Sequence, residues 1–180
     1  MEIELDAKAK DQRLNRMVAL TVVVLSIFMG LCQVKDGNIV QAMEQAQSNA
    51  VDRWGEYQAT RTKQHIDETA LAQTRLNPAL AAEQTRLEAQ IAKYRDEAPK
   101  LRAQAEGFQA QYDALNVHDD QFDASDAATS IAVAVAAVAA VSDSFAALVV
   151  AWAFGAFGTL MGLAGFLGLA LKSPLASLLS

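Results

Sequence analysis

The sequence predicts an all-α membrane protein: three transmembrane helices, with a long antiparallel helical hairpin (a coiled coil) between spans one and two. Three observations predict it. Apolar and charged residues are segregated into blocks, with no charge in 17–34 and only Asp143 charged in 127–171. From Leu80 to Leu115, apolar residues recur in alternating steps of four and three, the spacing of a heptad seam. Asn77-Pro78 interrupts the helical pattern between the charged arms, because proline disfavours helical geometry in the residue before it.

Composition narrows the class further. The chain has 180 residues, 52% of them hydrophobic and 20% charged, with one cysteine and two histidines. Segregation on this scale excludes an ordinary soluble enzyme fold. One cysteine excludes an internal disulfide framework and a cysteine-based zinc site, and two histidines exclude a multi-histidine centre. No cofactor is expected. In the tail 1–16, Lys8, Lys10, Arg13 and Arg16 balance Glu2, Glu4, Asp6 and Asp11, and Lys172 balances Asp143. The net charge of −6 therefore resides in the middle segment. That sign disfavours nucleic acid as a partner and leaves membrane lipid, further copies of the chain, and an unidentified membrane protein.

The elements follow in order. Residues 17–34 approach the ~20 apolar residues that a bilayer core requires, so a spanning helix is expected. Leu31 stands where a small residue would be needed before Cys32, which favours an uncleaved anchor over a processed leader. Lys35-Asp36-Gly37-Asn38 reads as a turn or as a polar exit from the bilayer. Residues 35–117 form the extramembrane hairpin, with its turn near 77–78 and a kink near 99. In the first arm, Ile39, Met43, Ala46, Ala50, Trp54 and Tyr57 share one side. In the second, the seam runs through Leu80, Gln84, Leu87, Ile91, Tyr94, Ala98, Leu101, Ala105, Phe108, Tyr112 and Leu115, with Gln84 its polar exception. Pro99 removes one amide donor, which predicts a bend.

An acidic collar, 118–126, precedes the second apolar block. Asp119, Asp123 and Asp126 fall on one helical face and are candidate oxygen ligands for Ca²⁺ or Mg²⁺. The preferred assignment is no metal, because acids also suit a helix start and a membrane flank away from positive charge. The remaining apolar block divides at Ser142-Asp143-Ser144 into spans 127–142 and 145–171, with a tail 172–180. Gly155, Gly158, Gly162, Gly165 and Gly168 recur in steps of three and four, a small-residue stripe along which helices approach closely.

The run Trp54-Gly-Glu-Tyr57-Gln58-Ala59-Thr-Arg-Thr-Lys63-Gln-His65 resembles a signature of a bacterial membrane family known as domain of unknown function 4337. The layout is similar as well: a basic tail, an early span, a helical segment carrying this run, a His118…Phe122-Asp123 approach, and a closing pair of spans. The chain departs from that family where Ser142-Asp143-Ser144 replaces a basic cluster between the last two spans. The resemblance implies the architecture and implies no activity.

The expected function is a non-enzymatic, homo-oligomeric membrane scaffold or interaction protein. Its packing and assembly residues are expected to be Trp54, Tyr57, Gln58, Leu87, Ile91, Tyr94, Leu101, Phe108, Tyr112, Gly155, Gly158, Gly162 and Gly165. Gln58 is expected to bond across helices. A small channel or transporter subunit is the alternative, disfavoured because the spans offer few polar residues to line a pore. Catalytic residues are expected to be none, since no nucleophile and base can be placed together. Lys8, Lys10, Arg13 and Arg16 on one flank place the N-terminus in the cytoplasm of a bacterial inner membrane and the hairpin in the periplasm.

Overall fold

A computed structural model describes residues 2–169, with side chains defined for 12–77 and 79–169. Among the described residues there are three α-helices, one 3₁₀ turn and no strand. Helix α1 spans Glu2–Thr74, α2 spans Ala81–Val141 and α3 spans Phe145–Phe166. All three are long and apolar enough to cross a membrane.

Helix α1 passes through Lys35–Asn38 without interruption, so no turn forms there. Gly37 has open space around it, and helical hydrogen bonding within the chain needs no partner at that point. The helix stops where proline chemistry stops it. Asn77 is extended (φ −129°, ψ 108°), as the residue before a proline prefers. Its Oδ1 accepts from the Ala79 amide at 3.1 Å, opening the 3₁₀ turn Pro78–Leu80. Gln84, the polar exception in the seam, donates from Nε2 to the Thr74 carbonyl at 2.8 Å. It thereby adds a second donor to a carbonyl at the end of α1, which also accepts from the Asn77 amide at 3.0 Å. Helix α2 continues through Pro99.

The turn between α2 and α3 is made by its polar residues. Asp143 adopts φ +47°, a left-handed conformation that aspartate tolerates better than most side chains. Ser144 is extended and accepts from the Ala147 amide at 3.3 Å, capping α3. Helix α3 is shorter than the span 145–171 expected from hydropathy. Gly168 takes φ +68° and donates to the Gly165 carbonyl, while Leu169 donates to Ala164 at 3.0 Å. This paired arrangement is a Schellman cap, which ends a helix with glycine in the left-handed position. Gly168 is thus a stop rather than part of the packing stripe. Residues 170 and 171 lie outside the described residues.

The chain forms two compact units, Met1–Gln41 with Leu115–Ser180, and Ala42–Ala114. In the first, Leu14 and Val18 of α1 cluster with Ala136 and Ala139 of α2 and with Leu148 and Ala151 of α3. Further along, Gly155 faces Leu25 and Ala132, Gly162 faces Phe28 and Ser125, and Gly165 faces Phe122. Beside Leu14, Val18, Leu25, Phe122 and Leu148, the interior is mostly small and polar residues. Gln121, Ser125, Thr129, Ala132 and Ala136 are all 0% exposed, whereas Leu20, Ile27, Leu31, Val138, Leu160 and Leu167 are exposed.

In the second unit, Leu71 of α1 forms a buried cluster with Leu87 and Ile91 of α2. The other buried α2 positions are Ala98 and Ala105. The large seam residues Tyr94, Leu101, Phe108 and Tyr112 are only half-buried.

Candidate functional site

Two groups of side chains bring chemistry together, one in each unit. In the first unit, one helical turn beyond buried Cys32, Asp36 of α1 meets the acidic collar of α2. Its carboxyl lies in hydrogen-bonding contact with that of Asp119, and Asp123 and Asp126 are close enough to act on it. Oδ1 of Asp36 is enclosed and has no hydrogen-bond partner. Loss of water and the neighbouring carboxylates push Asp36 up to about 6. Asp119 is also raised, chiefly by burial, and Asp123 by partial loss of water at its carboxyl and by the neighbouring Asp119, Asp120 and Asp126 carboxylates.

Of the three collar residues picked out by spacing, Asp119 and Asp126 are half-buried and Asp123 is exposed. Asp126 accepts from Gln33 Nε2 at 3.3 Å across the helix pair. Among the described residues, no three His, Cys, Asp or Glu side chains are arranged to hold a metal ion. Spacing alone missed Asp36, since its carboxyl neighbours come from another helix. Behind the junction lies a ladder of fully buried polar side chains on α2, Gln121, Ser125 and Thr129, one helical turn apart. Gln121 donates to the Leu169 carbonyl at 2.6 Å, and Thr129 donates back to Ser125 at 2.8 Å. A polar group buried in apolar surroundings must be bonded in this way or it destabilises the fold.

The second unit holds a polar network. Arg61 donates to buried Gln64 at 2.8 Å, Gln64 donates to Glu68 at 2.9 Å, and Arg95 of α2 donates to Glu68 at 2.8 Å. His65 Nδ1 lies 3.4 Å from Glu68. The bonds from Gln64 and Arg95 hold the Glu68 carboxyl down at about 2.

The family model described as domain of unknown function (DUF4337) matches residues 14–168. The chain belongs to this family. No curated protein and no solved structure matches it. The matched range of this DUF4337 member opens at Leu14, in the first core cluster, and closes at Gly168, the α3 cap. Within the run that carried the resemblance, Trp54 and Tyr57 are half-buried and pack edge to face, with centroids 5.6 Å apart. Gln58 is exposed and, among the described residues, makes no bond across helices; its carbonyl accepts from Thr62 in the same helix. The buried polar positions of this DUF4337 arm are instead Thr60 and Gln64. Helical phase explains the difference, since Thr60 and Gln64 are one turn apart and Gln58 falls off that face.

Proposed function

We propose that the protein is a non-enzymatic membrane scaffold that spans the bilayer three times and assembles with further copies of itself through an antiparallel helical hairpin. The observation that carries the membrane part is the inverted burial of the first unit. Glycine, alanine, serine, threonine and glutamine make up most of the interior, beside Leu14, Val18, Leu25, Phe122 and Leu148, while many leucine, isoleucine and valine side chains lie on the outside. Water favours the opposite arrangement, whereas lipid tails tolerate exposed apolar side chains and reward close backbone packing.

The hairpin is supported by residues that pair with falling number on one helix and rising number on the other. Arg75 meets Glu88 at 3.3 Å, and Glu68 meets Arg95 at 2.8 Å. Assembly is supported by the half-buried state of Tyr94, Leu101, Phe108 and Tyr112, a row of large apolar side chains that one partner helix leaves partly uncovered. The glycine stripe has contacts within the chain, so the assembly role falls to the hairpin rather than to the spans.

The test is the mass of the complex in mild detergent. Leu101→Lys with Phe108→Lys should reduce it while the chain still inserts in membranes, whereas Ala89→Lys, at an exposed position, should leave it unchanged. An unaltered mass in the double variant would overturn the assembly reading.

A further inference from the structure

We propose that Asp36 and Asp119 share a proton that latches α1 to α2 at the charged end of the first unit, so that rising pH opens this junction. The proposal goes beyond the scaffold reading and does not depend on assembly. It starts from donor inventory. An ionised carboxylate only accepts hydrogen bonds, so two carboxyls in hydrogen-bonding contact require that one of them carry a proton. These two lie on different helices, and the proton between them is therefore an interhelical bond.

The surroundings offer the ionised pair little relief. Oδ1 of Asp36 is enclosed without a donor, so the charged form gains neither water nor a protein partner at that atom. The facing groups from every packed element favour the same state. On α1, Lys35 is exposed and does not figure among the groups that act on Asp36. On α2, Asp119, Asp123 and Asp126 add negative charge, Asp120 accepts from Asn116, and His118 bonds Gln121 at 3.2 Å. Helix α3 contains no titratable residue.

The direction of the response follows from the direction of the shift. Asp36 binds its proton more tightly in the folded chain, at about 6 against an ordinary 3.8. Its contribution to the junction is then complete below about 4 and is lost as pH rises through about 6. Once the proton leaves, two anions face each other beside Asp123 and Asp126. The helices separate locally or water enters. Asparagine at position 36 reproduces the protonated acid, because its amide donates to the Asp119 carboxylate whatever the pH.

The experiment is hydrogen exchange, read by mass spectrometry on the full chain in mild detergent at pH 5 and pH 8. Rates are normalised to the intrinsic exchange at each pH. Amides of 33–40 and 115–123 should lose roughly tenfold in protection between the two, as one linked proton allows. Segment 145–160 should not change. Asp36→Asn and, separately, Asp119→Asn should hold the pH 5 protection at pH 8. Infrared spectra of the unmodified chain should also show a protonated carboxyl band that disappears over the same interval. The proposal is overturned by equal protection at both pH values, by a wild-type response retained in both asparagine variants, or by absence of the carboxyl band. The infrared result decides the matter even where a variant fails to fold.

Discussion

Gly158 is held more tightly than any surface helix position could be. A Cβ there would stand 2.7 Å from Thr129 Cγ2, 3.0 Å from the Ser125 carbonyl oxygen and 3.1 Å from the Thr129 amide nitrogen. Two of those three atoms are backbone and cannot rotate away, so Gly158→Ala should destabilise the first unit by ~1–3 kcal/mol through overpacking. Gly162→Ala should cost less, since its neighbours are Phe28 Cζ and Ser125 Oγ, the ends of side chains that can move. Gly107 has nothing within 4 Å, and Gly107→Ala should stabilise its helix by ~0.5–1 kcal/mol. Unfolding of the three variants in detergent checks this order; a stabilised Gly158→Ala would refute the close approach. The glycine spacing was legible in the sequence because small residues at helical period have few other uses in an apolar block. What they face was not, since Phe28, Phe122 and Thr129 are brought there by folding. Gly168 was misplaced in the stripe because its spacing fits, while its φ of +68° makes it a cap.

At the scale of elements, two carboxyls give opposite responses to pH. Glu68 is depressed to about 2 by its bonds to Gln64 and Arg95. Its contribution to pairing α1 with α2 is present above about 4.5 and is lost as pH falls through about 2. Acid should therefore loosen the second unit, whereas it tightens the Asp36 junction of the first. Glu68→Gln should blunt the acid transition of segment 60–95 in hydrogen exchange; an unchanged transition would place its cause elsewhere. Gln84→Ala should fray the end of α1 at a cost of about 1 kcal/mol or less, because the Thr74 carbonyl loses one of its two donors and keeps only the Asn77 amide at 3.0 Å. Amide exchange at 71–77 measures that directly. The chain break was legible because Asn77-Pro78 acts through local geometry. Gln84 looked like a flaw in an apolar seam, and its purpose emerges only when the end of another helix is beside it. Asp36 was hidden for the same reason: its neighbours in sequence are Lys35 and Gly37, and its chemical neighbours are Asp119 and Asp123.

For the whole molecule, the proposed membrane orientation makes the remaining prediction. In the first unit, Leu14 of α1 clusters with Ala139 of α2 and Leu148 of α3, so Arg13, Arg16 and the Ser142-Asp143-Ser144 turn belong to one end. Phe122 meets Gly165, and Ser125 Oγ lies 3.9 Å from Cys32 Sγ, so Asp36 and the acidic collar belong to the other. From Leu14 to Cys32 a helix rises about 27 Å, close to the ~30 Å of a bilayer core. Positive charge marks the first end and negative charge the second, which by the positive-inside tendency sets the arginine end toward the cytoplasm. With Cys32 replaced by serine, Asn38→Cys should react with a membrane-impermeant thiol reagent in intact cells, because residue 38 is exposed on α1 beyond the acidic end. Ser142→Cys, exposed in the turn at the opposite end, should react only after permeabilisation. Reversed labelling would invert the orientation. Equal labelling of both sites in intact cells would mean that the inverted burial of the first unit answers to some environment other than a bilayer it crosses.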